Sequence, residues 1–387
     1  MRIKTITCHD VDNYGASLQA YALEKYLMMK GHDVEVIDYL PDYLPCRLDY
    51  LRYTRSFGRL NALASTLPFL KPLIALYDHL KSKQGWNNLR FLAKKKRFRR
   101  FKRDFLKCTS LTYRSYNQLK ENPPIAEAYI AGSDQIWNSM GQNGRDPAYY
   151  LSFAPPKSLK MSYAASFGGK YIQHGYSDFV KEHISKFDFI SVREKSGVEI
   201  VEKLGLKATE VLDPVFLLDG SFWSSLCNDI HKEKYILVYD LNMNHPGVKR
   251  LAIELAKKNN WKIYSLNDFR TCSYADKNIN DAGPIDFINW IKFSQFVICT
   301  SFHGTAFSVL LQKQFYTFPL FGQANSSRMS DFLQKIKLSS HFIEDVIDVR
   351  EISDVNYHKV QTDIQYYQKL SRNWLDCNLN NIHRNEK

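Results

Sequence analysis

Four stretches of the sequence gather side chains able to do chemistry. In the first, Phe296-Val297-Ile298-Cys299-Thr300-Ser301-Phe302-His303-Gly304-Thr305-Ala306-Phe307-Ser308, an apolar run ends in hydroxyls, a histidine and a glycine. This pattern reads as a buried strand opening into a helix. Free backbone N–H groups at a helix start attract an anion, Gly304 would let a ligand approach the backbone, and His303 can exchange protons near neutral pH. Ser301 and Thr305 could contact the same ligand or serve as ordinary caps. In the second stretch, Tyr129-Ile130-Ala131-Gly132-Ser133-Asp134-Gln135-Ile136-Trp137-Asn138, a strand opens into a polar turn. An exposed Trp137 beside Ser133 and Gln135 would suit a sugar, because an aromatic face covers C–H groups while polar neighbours take the hydroxyls. Asp134 could accept a proton. The competing reading makes Asp134 a helix cap and Trp137 part of the core.

The third stretch, Phe189 to Gly197, sets Arg193 just after an apolar run. A guanidinium grips a carboxylate or phosphate bidentately, though an ion pair of Arg193 with Glu194 or Asp188 would look the same in sequence. The fourth, Asn13-Tyr14-Gly15-Ala16-Ser17-Leu18-Gln19-Ala20, opens a helix through a glycine. It lacks G-x-G-x-x-G and is weak alone.

These turns must be carried by strands and helices, and the flanking patterns supply them. Strands are expected near Ile3 to Thr7, Asp33 to Asp38, Ala128 to Ala131, Lys160 to Ala165 and Asp188 to Val192, with a helix at about Ala16 to Lys30. The alternation is that of a parallel sheet. It restarts after Asp219-Gly220, with strands at Tyr235 to Tyr239, Trp261 to Ser265, Phe296 to Thr300 and Phe315 to Phe318. Helices are expected near Val248 to Lys258, Ile285 to Phe293 and Gly304 to Leu311. The expected fold class is therefore α/β, with two doubly wound Rossmann-like domains facing a cleft. The divisions are 1–219 with a helical basic insertion at about 41–107, then 220–362 as the donor-binding domain, and 363–387 as a helix and tail able to cap either domain. Ligands of such sheets bind beyond the carboxyl ends of the strands, where the four turns fall.

Composition narrows the function classes. The 387 residues hold 53 Lys plus Arg against 40 Asp plus Glu, and 44% are apolar, enough for a large core. Seven scattered cysteines, never spaced C-x-x-C, argue against a disulfide framework and a zinc knuckle. The first residues show no secretion signal, and the most apolar stretch, Ala62 to Leu76, is interrupted by Lys71 and two prolines. A cytoplasmic protein is expected, at the inner face of the membrane if it docks there. Of the net charge of +13, the segment Lys94 to Lys107 contributes +8 from nine basic residues and one Asp, leaving +5 elsewhere. Phe91, Phe98, Phe101 and Phe105 share one face of a helix there, so the aromatics read as core and nucleic acid is not expected as a partner. A solvated face lying outside the cleft is the first reading, and peripheral docking through 94–107 on an anionic membrane is another.

Together these motifs resemble the polysaccharide pyruvyl transferase family. The likeness rests on N-Y-G-A-S-L-Q-A-Y-A-L at Asn13 to Leu23, A-G-S-D-Q-I-W-N at Ala131 to Asn138, S-V-R-E at Ser191 to Glu194, D-P at Asp213 and Pro214, and T-S-F-H-G-T at Thr300 to Thr305, spanning about residue 1 to 340. The resemblance implies a fold similar to the B-type glycosyltransferases. It also implies transfer of a pyruvyl group from phosphoenolpyruvate to two hydroxyls of a sugar, as a cyclic ketal of a bacterial-type exopolysaccharide or capsule. The acceptor would be a sugar or lipid-linked oligosaccharide, with no cofactor and no metal required. The family's histidine maps onto His303 and its donor-binding arginine onto Arg193, with Asp134 as a further catalytic group. Ser301, Gly304 and Thr305 fall on the donor side; Asn13, Tyr14, Ser133, Gln135 and Trp137 fall on the acceptor side. Many members carry S-R-L-H, whereas Ser301 stands here two places before the histidine. The replacement cation expected downstream is Arg328, in Asn325-Ser326-Ser327-Arg328, its competing role being a surface pair with Asp331. The rival functions are a nucleotide-sugar glycosyltransferase, on the same architecture, and a basic RNA-binding protein.

Overall fold

The computed structural model describes residues 1–44, 83–228, 233–242, 244–267, 271–320, 327–344 and 352–380, with the backbone alone for 83–91 and 327. Most of the expected insertion, 45–82, lies outside the described residues, as do Cys46 and the loop 321–326 that precedes Arg328.

Two five-stranded parallel sheets carry the chain. In the first, β1 (Arg2–Ile6), β2 (Asp33–Tyr39), β3 (Cys108–Tyr113), β4 (Ala128–Ala131) and β5 (Leu159–Ser162) lie in the order β3-β2-β1-β4-β5. A two-stranded pair, β6 (Ser191–Val192) and β7 (Thr209–Glu210), continues this sheet through bridges from Met161 to Phe189 and from Ala165 to Val192. In the second sheet, β8 (Tyr235–Tyr239), β9 (Lys262–Leu266), β10 (Lys277–Ile279), β11 (Phe296–Cys299) and β12 (Gln314–Thr317) take the equivalent order β10-β9-β8-β11-β12. The central strands β4, β8 and β11 are buried along their whole length, as a parallel sheet covered on both faces requires. The doubly wound α/β expectation holds for both halves. Three strands were not expected: β3 and β10 are sheet edges of mixed polar sequence, and β7 has two residues.

Seven helices position the site. They are α1 (Tyr14–Met29), α2 (Lys83–Phe105), α3 (Lys195–Lys203), α4 (Pro284–Phe293), α5 (Phe302–Leu310), α6 (Ser327–Lys335) and α7 (Tyr357–Asn380). Asn13 caps α1, its Oδ1 accepting from the Ala16 N–H at 3.1 Å. Helix α1 is apolar around almost its whole circumference and is buried from Tyr14 to Glu24, so it needs cover on both sides. One side covers the first sheet. The other meets the second half, where Tyr14 stacks on Phe287 of α4 with centroids 4.8 Å apart, and Tyr21 packs edge-on to Trp223. One apolar core therefore runs from Ile3 and Val34 through α1 to Val297 and Phe307.

Helix α7 returns across the first half. Asp376 accepts from Tyr26 and pairs with Lys30, while Gln368 and Arg372 donate to the carbonyls of Phe216 and Leu217. Among the described residues, no helix is long and apolar enough to cross a membrane.

Candidate functional site

The chain leaves the carboxyl ends of β4, β6, β7 and β11 toward one point. After β4, Gly132 takes φ +122, and a Cβ there would lie 2.3 Å from the Tyr163 carbonyl oxygen. Only glycine fits. Asp134 follows in the left-handed region with φ 68, which turns its carboxylate toward Arg193, the residue after β6. Arg193 is buried within three carboxylates: Nη1 donates to Asp213 Oδ2 at 2.7 Å, Nη2 lies 3.7 Å from Asp134 and Nε 3.8 Å from Glu194. Burial opposes its charge, but Asp213, Glu194 and Asp134 outweigh burial and raise its pKa. Its face lies over the Phe302 ring at 4.8 Å, a cation–π contact from the first half to the second.

Asp213 is fully buried at the start of the Pro214–Leu217 turn, whose Val215 N–H its Oδ1 accepts at 3.1 Å. Its Oδ2 is also 3.5 Å from the Ser133 hydroxyl and 3.5 Å from His303 Nε2. Burial alone would raise the Asp213 pKa, yet His303 and Arg193 hold it well below the usual carboxylate range. Asp213 is thus an anion that links the arginine of one half to the histidine of the other.

His303 is the second residue of α5, and its ring lies flat on Gly15 of α1. A Cβ at Gly15 would fall 1.9 Å from Nδ1 and 2.3 Å from Cγ. The glycine of the first-helix motif is therefore there for the histidine. With one ring face closed by α1 and Phe302 edge-on at 5.2 Å, His303 Nε2 is buried facing Asp213 Oδ2 at 3.5 Å, a charge contact without hydrogen-bond geometry.

Arg328, the second residue of α6, reaches the same place. The Gln135 carboxamide, with its oxygen as acceptor, lies 2.9 and 3.1 Å from its Nη2 and Nη1. Burial lowers the Arg328 pKa, and the charge of Arg193 lowers it further. Arg328 Nε and Arg193 Nε and Nη2 are buried without hydrogen-bond partners among the described residues. Asp134, Glu194 and Asp213 offset part of the repulsion between the two guanidinium groups, and their charges pull the Arg328 pKa back up. The arrangement can hold a small ligand with more than one anionic group against a histidine able to move a proton.

The model of the family described as polysaccharide pyruvyl transferase matches residues 13–319, from the glycine-containing start of α1 through the histidine turn and β12. The chain belongs to the polysaccharide pyruvyl transferase family. A search of curated proteins returns no match. Among solved structures, the chain is similar to UDP-GlcNAc 2-epimerase from Neisseria meningitidis bound to UDP-GlcNAc, at 10% identity and TM-score 0.48 over 96% of this chain and 94% of that one. It is also similar to an E. coli heptosyltransferase with ADP, at 8% identity and TM-score 0.40 over 95% of this chain and 100% of that one.

Of the residues singled out in this pyruvyl transferase family sequence, His303, Arg193, Asp134, Gln135 and Arg328 come together. Several others are used differently. Trp137 is fully buried, stacked on Tyr150 at 5.7 Å with Nε1 donating to the Tyr149 carbonyl, so it is core and no sugar platform. Tyr14 is core at the junction of the two halves. The Ser133 hydroxyl is buried and donates to the Ala164 carbonyl at 2.6 Å. Thr305 Oγ1 is buried 2.7 Å from Thr317 Oγ1, turned toward β12 and away from the site. Gly304 faces Cys299 and Tyr239, where a Cβ would meet atoms at 3.1 and 3.3 Å, so its missing side chain serves helix-on-strand packing. Ser301 is the cap of α5, its Oγ accepting from the Gly304 N–H at 3.4 Å. Asn13 stands exposed beside the site as the cap of α1.

Asp213 and Glu194 were not singled out as site residues. Their signal was present in the D-P and S-V-R-E motifs, each an acid just beyond a strand. Glu194 is buried, accepts from the Ser166 hydroxyl at 2.6 Å, and has its pKa raised by burial against the pull of both arginines.

A second polar cluster, His9, Asp38 and Cys108, has metal-ligand composition. Its cation is internal: Lys102 Nζ lies 2.6 Å from Asp38 and 2.8 Å from Asp10.

Proposed function

We propose that this protein transfers a pyruvyl group from phosphoenolpyruvate to two hydroxyls of a sugar in a surface polysaccharide or its lipid-linked precursor. The observation that supports it best is the pair of buried Arg193 and half-buried Arg328, three of whose nitrogens make no hydrogen bond among the described residues, with His303 joined to Arg193 through Asp213. Phosphoenolpyruvate carries a carboxylate and a phosphate on adjacent positions and matches two guanidinium groups. Arg193 is largely neutralised by its three acids and takes the carboxylate. Arg328, whose hydrogen-bond partner among the described residues is the neutral Gln135 amide, takes the phosphate and supplies the cation missing at Ser301.

In the reaction His303 delivers a proton to the donor methylene carbon, which becomes a methyl group, while C2 becomes electrophilic. One sugar hydroxyl adds to C2 and gives up its proton to a base, the role assigned to Asp134 or the spent His303. The second hydroxyl then displaces phosphate from C2, the C–O bond to phosphate breaking and its proton leaving with phosphate. The balance is one phosphoenolpyruvate and one diol in, one cyclic ketal and one phosphate out, with no redox change. The arginines hold developing charge in a desolvated site, where such interactions are strongest.

A donor screen by thermal unfolding tests the reading. Phosphoenolpyruvate should raise Tm, by about 2.7 kcal/mol of stabilisation at a hundred times its Kd, and nucleotide sugars should not. A shift with a nucleotide sugar and none with phosphoenolpyruvate would transfer the protein to the glycosyltransferases.

A further inference from the structure

Helix α2 carries two separate sets of basic residues. One set is spent on contacts within the molecule. Lys94 lies over the Tyr14 ring at 4.7 Å, Lys95 is 4.0 Å from Asp12, Arg97 donates to Asp286 and Asp281, and Lys102 to Asp10 and Asp38. This inner side corrects the expectation that the whole segment stands apart from the cleft, because it reaches the β1–α1 turn next to Gly15. Arg97 packs against Gly283, where a Cβ would come within 2.8 Å of it, so α2 straps the two halves together.

The outer set is different. Leu92, Lys96, Arg99, Arg100 and Arg103 are all exposed and recur at helical spacing, forming one stripe about 16 Å long. Lys96 and Arg99 make no ion pair with the described residues, and Arg100 and Arg103 share the single carboxylate of Asp104. Phe98 and Phe101 point into the core and offer no face for a base to stack on. What the stripe presents is cationic heads with an apolar side chain at one end. In the sequence, the most apolar stretch of the chain, Ala62 to Leu76, lies just ahead of this helix.

We infer that the outer stripe of α2 docks the protein on an anionic phospholipid surface. A straight row of four exposed cations that share one carboxylate among the described residues matches a flat sheet of negative headgroups, and Leu92 adds an apolar contact at the interface. The docking is independent of the donor chemistry. It places the enzyme where a lipid-linked acceptor would be met, which is the acceptor class it favours.

Co-sedimentation of the full chain with vesicles tests this. Wild-type protein should bind vesicles that mix phosphatidylglycerol with phosphatidylcholine, should not bind phosphatidylcholine alone, and should be released at about 0.5 M salt. Lys96→Glu/Arg99→Glu/Arg103→Glu should weaken binding at least about a hundredfold, each basic residue at such a surface being worth roughly fivefold. The corresponding triple Gln variant should fall between the two and unfold at the wild-type temperature. Lys257→Glu/Lys258→Glu, on the separate helix Pro246–Asn259, should bind as wild type. Equal vesicle binding by the triple Glu variant, or binding to single-stranded RNA without binding to anionic vesicles, would overturn the inference.

Discussion

At the scale of single residues, the account turns on His303 and the atoms that hold it. Replacing it by Ala should lower kcat by about 10² to 10⁴, the usual contribution of a positioned acid or base, with Tm nearly unchanged. Gly15→Ala is a more selective test, since the added methyl would overlap Nδ1 and push the ring off α1. It should cost activity on a similar scale while phosphoenolpyruvate binding persists, and isothermal calorimetry beside turnover separates the two. Arg328→Ala should raise the donor KM about ten- to a hundredfold and leave acceptor KM alone, because a charge-assisted contact of about 1.5 to 3 kcal/mol is lost from the donor side only. An unchanged donor KM would return Arg328 to a structural role beside Gln135. Arg193→Ala is a poorer probe, as it leaves Asp213, Glu194 and Asp134 without their cation and should destabilise by about 3 to 5 kcal/mol. His303, Arg193 and Asp134 were legible in sequence because each follows a strand in a polar turn. Trp137 and Tyr14 misled for a physical reason: an aromatic beside polar residues looks the same whether its ring faces solvent or a second layer of chain.

At the scale of elements, α1 shows how a helix serves two cores. Its apolar residues surround it, so periodicity located the helix but could not reveal that its far side meets α4. Glu24 marks the same helix in another way. It is almost fully buried, Oε1 accepts from the Lys107 N–H at 2.7 Å, and burial raises its pKa from 4.5 to about 8. Between those two values the folded chain keeps a proton that the unfolded chain releases, so this group makes stability fall as pH rises from about 4.5 to 8. Glu24→Gln keeps an acceptor for Lys107 and removes the titration. The Tm of the variant relative to wild type should therefore climb between about pH 5 and pH 8, and a constant difference would refute the buried neutral carboxyl. Edge strands β3 and β10 escaped sequence reading because one neighbour suffices to hold an edge, and selection for apolar side chains is relaxed there.

At the scale of the whole molecule, two parallel sheets point their carboxyl edges at one junction, and the site exists only when both are present. The first sheet supplies Arg193, Asp134 and Asp213, and the second supplies His303 and Arg328. Their meeting was not readable from spacing along the chain, since 110 positions separate Arg193 from His303. The positive charge of α2 resolves at this scale too, into one set that straps the halves and an outer set that faces solvent. The central claim is the reaction itself. Incubation with phosphoenolpyruvate and a panel of glycosides, including lipid-linked ones, should release one phosphate for each acceptor whose mass increases by one pyruvic acid less one water. A product extended by a sugar unit from a nucleotide sugar, with phosphoenolpyruvate left intact, would contradict it.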